Sequence, residues 1–316
     1  MRIATLLVLC ATPSLAQTFP ARQITIVVPY PPGSTSDLIP RAVAPLLSQS
    51  LGVPVIVENR PGAGGNLGAS TVARGDASGH TLLMATSGIL TVNQWLYKQL
   101  SYDPEKDLAP VINAATTPNM WVAHPGVPVR TMAEIIAQAK SKPESLSFAS
   151  GGNGTTSHLC GEMLKAAAKV DMLHVPYKGP APALQDVLAG RVPLMCDNFS
   201  NVIPHVRSGR LKPIALTAKQ RHPQAPEVPT ASESGLPGFE IGVWYGFAVR
   251  SGTPQPVIQK LNVEIAQALH DPKIAERLIS VGLTVVADTP EKFAKFIAAE
   301  SDKMRKLVQA SGARIE

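Results

Sequence analysis

The sequence predicts an α/β protein of two lobes, with mainly parallel sheets flanked by helices. Two observations carry this. Apolar, β-branched runs alternate with amphipathic helical stretches along a chain of 316 residues, as in parallel strands joined by crossover helices. A glycine and hydroxyl turn also occurs twice, about 120 residues apart. Gly154-Thr155-Thr156-Ser157-His158-Leu159 matches Gly33-Ser34-Thr35-Ser36-Asp37-Leu38 in type at all but the fifth position. Each copy follows an apolar run and leads into a helical segment. A strand, a glycine turn and a helix start make an anion site, because the first helical N–H groups lack backbone partners and carry the positive dipole end. Two such turns suggest two lobes closing on one small anion.

Composition bounds the rest. With 45% hydrophobic and 16% charged residues the chain is globular, and there is length for two ordinary α/β domains. Aromatics are only 5%, so the core rests on Val, Ile, Leu and Ala. The net charge is +6, but Lys and Arg are scattered and no basic run interleaved with aromatics points to nucleic acid. Arg2, the apolar stretch Ile3 to Ala11 and Ser14-Leu15-Ala16 read as an export signal, residues 1–16, cleaved after Ala16. Leu9 before Cys10 argues against a lipid anchor. No other apolar run reaches the roughly 18 residues that cross a bilayer. Cys160 and Cys196 then lie in an oxidising compartment; buried thiols are the expectation and a disulfide the alternative. There is no CxxC, HExxH or acidic calcium loop, so neither a metal nor a cofactor is expected.

The elements follow in order. Ile24 to Val28 suits a strand buried on both faces. Prolines 29, 31 and 32 stiffen the approach to Gly33 through Ser36. Asp37 reads as a cap for exposed N–H groups, with contact to a ligand ammonium as the alternative. Pro40 and Pro45 fall within Leu38 to Leu47, where one should kink or shorten the helix. Val53 to Val57 is a second strand. The glycines at 62, 64, 65 and 68 do not make GxGxxG and read as a tight structural turn. Thr81 to Ala85 is a third strand ending in Thr86-Ser87-Gly88, a polar turn where open α/β sheets place ligands.

Leu108 to Ala114 and Trp121 to Ala123 read as separate strands, after which the second lobe begins. Thr131 with Glu134 predicts a capping box on a helix from Met132 to Lys140. Leu146 to Ala149 precedes the second turn, in which His158 reads as a structural residue of the helix start, with ligand contact the alternative. Met172 to Val175, Val192 to Met195 (ending at Asp197) and Leu211 to Thr217 continue the alternation. Lys178 reads as a solvated lysine that could also meet an anion, and His222 to Thr230 as an exposed, proline-rich excursion. Ile241 to Val249 is a long strand on which Trp244 and Tyr245 face opposite sides; Trp244 is assigned to the cleft. Thr253-Pro254, Asp271-Pro272 and Thr289-Pro290 start terminal helices. Lobe 1 is thus residues 17–123 and 236–316, and lobe 2 is residues 124–235.

VPYPPGSTSDLIPR, VENRPGAGGNLG, FASGGNGTTSHL, HVPYKGPAPALQDVLAGRV and PTASESGLPGFE, in this order, resemble the Bug family of periplasmic solute receptors of tripartite tricarboxylate transporters. The resemblance covers essentially the whole mature chain. It implies a type II periplasmic-binding-protein fold with a hinged cleft. It also implies a non-catalytic, monomeric receptor that passes a small organic acid to membrane subunits: a di- or tricarboxylate, an acidic amino acid or an aromatic acid. The expected ligand-binding residues are Tyr30, Pro31, Gly33, Ser34, Thr35, Ser36, Asp37, Ser87, Ser150, Gly152, Asn153, Gly154, Thr155, Thr156, Ser157, His158, Asp197 and Trp244. Ser34 stands where the family commonly has a second glycine, and Pro180 where paired glycines are common. A secreted serine hydrolase working through Ser157 or Ser87 is a competing function, weakened by the lack of a GxSxG elbow. A phosphate or nucleotide binder is another, weakened by the lack of GxxxxGK[ST].

Overall fold

Ile24, Ile26, Val27 and Val28 are all buried in the computed structural model, which describes residues 19–143, 145–311 and 314–315. The expected export signal lies outside these residues. The strands are β1 (Ile24–Val28), β2 (Val55–Asn59), β3 (Thr81–Thr86), β4 (Leu108–Ala123), β5 (Ser147–Ser150), β6 (Leu173–Pro176), β7 (Leu194–Asn198), β8 (Lys212–Leu216), β9 (Gly242–Arg250) and β10 (Thr284–Val285). The helices are α1 (Thr35–Leu51), α2 (Asn66–Ala73), α3 (Asn93–Leu96), α4 (Met132–Ser141), α5 (Thr156–Ala168), α6 (Pro180–Leu188), α7 (Phe199–Arg207), α8 (Gln255–His270), α9 (Pro272–Ser280) and α10 (Pro290–Ser311).

One strand joins two lobes. β4 lies at the centre of the order β2-β1-β3-β9-β4-β7-β5-β6. Its residues from Leu108 to Pro118 pair with β9, while Asn119 to Ala123 pair with β7 and β8. The two strands expected here are therefore one, and the crossing falls at Pro118-Asn119. The polar ThrThrProAsn stretch reads as a break, yet its groups are bonded to residues far along the chain: Thr117 Oγ1 donates to the Gly282 carbonyl (3.0 Å) and the Asn119 N–H to Thr217 Oγ1 (3.0 Å). The outer strands β1, β2, β3 and β5, β6, β7 pair in parallel, as alternation predicts, whereas β4 and β9 run antiparallel to their neighbours. Apolar patterning reports burial and not strand direction, so the mixed centre was not legible.

Each sheet is covered on both faces. Ile24, Ile26 and Val28 pack with Ile39 and Val43 of α1 and with Leu261 and Ile265 of α8, while Val27 packs on the other side with Val72 and Phe293. In the second lobe Phe148 and Leu159 lie in one cluster, and Val122, Val187 and Phe199 in the other. α10 spans both lobes, with Phe293 in a first-lobe cluster and Met304 and Val308 in a second-lobe one. The capping box forms as predicted, and Asp271 caps α9. α1 runs uninterrupted through Pro40 and Pro45; each proline removes one backbone bond, and its buried face against β1 and α8 holds the rest. The stretch around His222 to Thr230 is less exposed than expected, since Ala225 and Val228 are buried.

Cys160 on α5 and Cys196 on β7 form a disulfide across a sequence separation of 36, with Cα atoms 6.2 Å apart. This corrects the expectation of two free buried thiols, because α5 lies directly over β7. Closing a loop of this length restricts the unfolded chain, so Cys196→Ala should lower unfolding free energy by about 3–4 kcal/mol. Urea titration of the oxidised protein and the variant measures this.

Candidate functional site

The two turns adopt the same backbone shape. Gly33 and Gly154 both have φ 84°, in the left-handed region that glycine tolerates. Ser34 (φ −78°, ψ 162°) and Thr155 (φ −75°, ψ 156°) follow as extended N-caps, and α1 and α5 start at Thr35 and Thr156. Even the position that differs does the same work. The Gly33 N–H donates to Asp37 Oδ2 (3.0 Å) and the Gly154 N–H to His158 Nδ1 (3.3 Å). Burial pushes Asp37 up, but bonds from Arg41, Asn59 and Gly33 outweigh it and hold the carboxyl below its ordinary value. Burial pushes His158 down to about 4, so the ring is neutral and Nδ1 can accept. His158 stacks on His174 at 4.3 Å, and His174 Nε2 meets Ser150 Oγ at 2.6 Å.

With the glycine N–H groups used in this way, the donors left at each helix start are the N–H groups of Thr35, Ser36, Thr156 and Ser157. None of these has an acceptor among the described residues. All four residues line one cavity between the lobes. Hydroxyl-bearing residues make up most of its wall: Ser34, Thr155, Thr86 and Ser87 join the helix starts, with Tyr30 and Tyr245. Burial pushes Tyr30 up to about 12 and Tyr245 well above its ordinary value, so both phenols stay protonated. Ser87 Oγ and Ser157 Oγ are buried with no partner among the described residues. No described lysine or arginine lines the cavity, and Asp197 is its one carboxyl. Burial pushes Asp197 up to about 6 in spite of hydrogen bonds from Asn201 and the Asn198 backbone.

The lobes touch around this space. Thr35 Oγ1 donates to Asn201 Oδ1 (2.7 Å) and shares a hydrogen bond with Ser200 Oγ (2.8 Å). Asn198 Nδ2 donates to the Tyr245 hydroxyl (2.6 Å), and the Tyr97 hydroxyl to the Asn153 carbonyl (3.3 Å). A Cβ at Gly88 would lie 2.9 Å from the Gly154 carbonyl oxygen, so the backbones of the two lobes meet there directly.

Of the residues expected from sequence, Tyr30, Ser34, Thr35, Ser36, Ser87, Thr155, Thr156, Ser157 and Asp197 line the cavity. Pro31, Gly33, Asp37, Ser150, Gly154 and His158 stand behind the wall and shape it; the Pro31 carbonyl, for example, accepts from Ser34 Oγ (3.1 Å). Gly152 and Asn153 line an adjoining groove. Trp244 is misplaced: it packs edge-on against Phe293 (5.3 Å) and Phe296 (5.7 Å) in the core. Strand alternation is as expected, but α10 covers the Trp244 side, so Tyr245 and Val243 face the cavity. Thr86, Gly88, Gly151, Pro180, Asn198, Val243 and Tyr245 also line it and were not among the expected residues. All but Pro180 adjoin expected residues; Pro180 stood out only as a departure from the family pattern, and nothing else in the sequence marked Val243.

The description "Tripartite tricarboxylate transporter family receptor" belongs to a family model that matches residues 39–313. Rpa4515 of R. palustris, solved with adipate, is 34% identical with a TM-score of 0.90, covering 94% of this chain and 100% of its own. The periplasmic binding protein BugD is 35% identical with a TM-score of 0.89, covering 94% and 100%. MatC of Rhodopseudomonas palustris, solved with bound malate, is 34% identical with a TM-score of 0.88, covering 92% and 100%. On the strength of that match over nearly its whole length, the chain belongs to the tripartite tricarboxylate transporter receptor family, whose members are solute receptors and not enzymes.

Proposed function

We propose that this chain is an exported, monomeric receptor that holds one small organic carboxylate between its lobes and passes it to the membrane subunits of a tripartite tricarboxylate-type transporter. The observation that carries this is the pair of matching helix starts facing one cavity without a cation. A hydrogen bond to a charged group contributes about 1.5–3 kcal/mol, and the N–H groups of Thr35, Ser36, Thr156 and Ser157 supply several at once. The adipate and malate of Rpa4515 and MatC support the ligand class. A doubly charged phosphate would want Arg or Lys in the wall, and none of the described lining residues is either. Hydrolysis by Ser157 or Ser87 lacks a base, since neither hydroxyl has a partner among the described residues.

Replacing Thr155 and Thr156 together with valine should weaken carboxylate binding while preserving the fold, because it removes two hydroxyls of the wall and the N-cap that aims the N–H groups of Thr156 and Ser157. The check is thermal unfolding against a panel of organic acids and their amides; a ligand at 100 times its dissociation constant adds about 2.7 kcal/mol to the parent protein. Unchanged shifts in the double variant would overturn the assignment. Gly88→Ala acts on the approach of the lobes, because its methyl meets the Gly154 carbonyl. Titration calorimetry should show affinity falling at least about tenfold, or ~1.4 kcal/mol, with circular dichroism unchanged.

The ligand-free protein should also carry the signature of Asp197. A carboxyl raised to about 6 when folded, against about 3.9 unfolded, favours folding below the unfolded value, and that stability is lost as pH rises through 6. Asp197→Asn removes this loss. Relative to the parent it should gain about 2–3 kcal/mol between pH 4 and pH 7, read from urea midpoints at the two pH values.

A further inference from the structure

Two grooves share wall residues with the cavity. One shares Ser34, Thr35 and Pro180 and continues past Ser200 and His205. Burial and nearby Arg210 hold His205 below its ordinary value, so that groove presents no fixed charge. The other shares Tyr30 and Gly151 with the cavity. It runs along the seam between the lobes, with Pro61 to Gly65 and Tyr97 on one side and Gly151 to Asn153 and Pro176 to Gly179 on the other.

Glycine permits close backbone approach along this second groove. A Cβ at Gly64 would lie 2.5 Å from the Asn153 carbonyl oxygen, one at Gly152 2.8 Å from that of Tyr177, and one at Gly179 2.7 Å from Pro31 Cδ. The glycine-rich loop that makes no dinucleotide fingerprint thus lets the lobes meet closely beside the slot. The buried Tyr30 side chain stands between slot and cavity, its hydroxyl 3.2 Å from the Gly64 carbonyl and 3.3 Å from Thr86 Oγ1. Lys178 lines the slot. Of the described residues lining the cavity and both grooves, it is the one lysine or arginine, and it has no carboxylate partner among the described residues.

We propose that this slot receives the second carboxylate of an extended dicarboxylate whose first carboxylate sits on the two helix starts, with Lys178 as the cation that selects it. This rests on the carboxylate-receptor function proposed above. Charge placement favours it: inside the cavity a second carboxylate would meet the one acid, Asp197, whereas the slot offers the one cation. Because Lys178 is exposed, its attraction is partly screened and falls with added salt.

The test is titration calorimetry of the mature protein with succinate, adipate and suberate and with the monoamide of each. A monoamide keeps one carboxylate and the chain length but removes the far charge. In the parent protein the longer diacids should bind more tightly than their monoamides, and Lys178→Gln should shrink that preference by about three- to fivefold. Lys178→Glu should reverse it, and raised ionic strength should weaken it in the parent alone. Monoamide affinities should stay the same in all three proteins. A diacid preference undiminished by Lys178→Gln, or the absence of any preference at every length, would overturn the slot and leave the receptor intact. Failure of every acid and monoamide to bind would overturn the receptor function, and the slot with it.

Discussion

On the proposed function, the structure depends on how an anion can be buried without a cation. An isolated charge taken from water is very costly unless several donors converge on it. One helix start offers too few, since its first N–H groups point along one axis and its glycine N–H is already used inside the turn. A second start must therefore face the first. This accounts for the repetition of the turn in each lobe, for the φ of 84° at Gly33 and Gly154, and for the direct meeting of backbones at Gly88 and Gly154. Asp37 and His158 differ in charge but share a task, because the turn needs only an acceptor at the fifth position. The neutrality that burial forces on His158 makes the two equivalent.

Holding two turns in register across a cleft is a problem for the connections. β4 solves part of it as one strand shared by both sheets, with its polar crossing bonded to Thr217 and Gly282. α10 adds a second tie by placing apolar residues in both lobes. Within the second lobe the disulfide joins α5, which carries Thr156 and Ser157, to β7, whose Asp197 directly follows Cys196. The bond therefore fixes the helix start relative to the one carboxyl in the wall.

Much of this was legible and some was not, for physical reasons. The turns, their flanking strands, the capping box and most of the hydroxyl wall follow from short-range chemistry: which residues tolerate left-handed backbone, which cap, which alternate. What failed was long-range. The joining of two apolar runs through ThrThrProAsn depends on partners far along the chain, as do the reversed direction of β9 and the pairing of Cys160 with Cys196. Trp244 shows the boundary most clearly. Alternation correctly separates it from Tyr245, but which side becomes the core is decided by where Phe293 lands, and no local signal carries that.

A cleft of this design also has a consequence for release. A lysine or arginine in the wall would attract the carboxylate from one lobe alone and keep doing so after opening, because a charge acts over several ångströms. Hydrogen bonds do not: they weaken steeply once donor and acceptor separate beyond normal contact. With its donors split between α1 and α5, the proposed site would lose half of them once the lobes part, and water would then compete for the other half. Affinity would thus be tied to closure itself, because a ligand that bridges the lobes stabilises a closed form by the contacts it makes to both. In the proposed receptor, opening the lobes would then suffice to free the ligand, with no charge left behind to compensate.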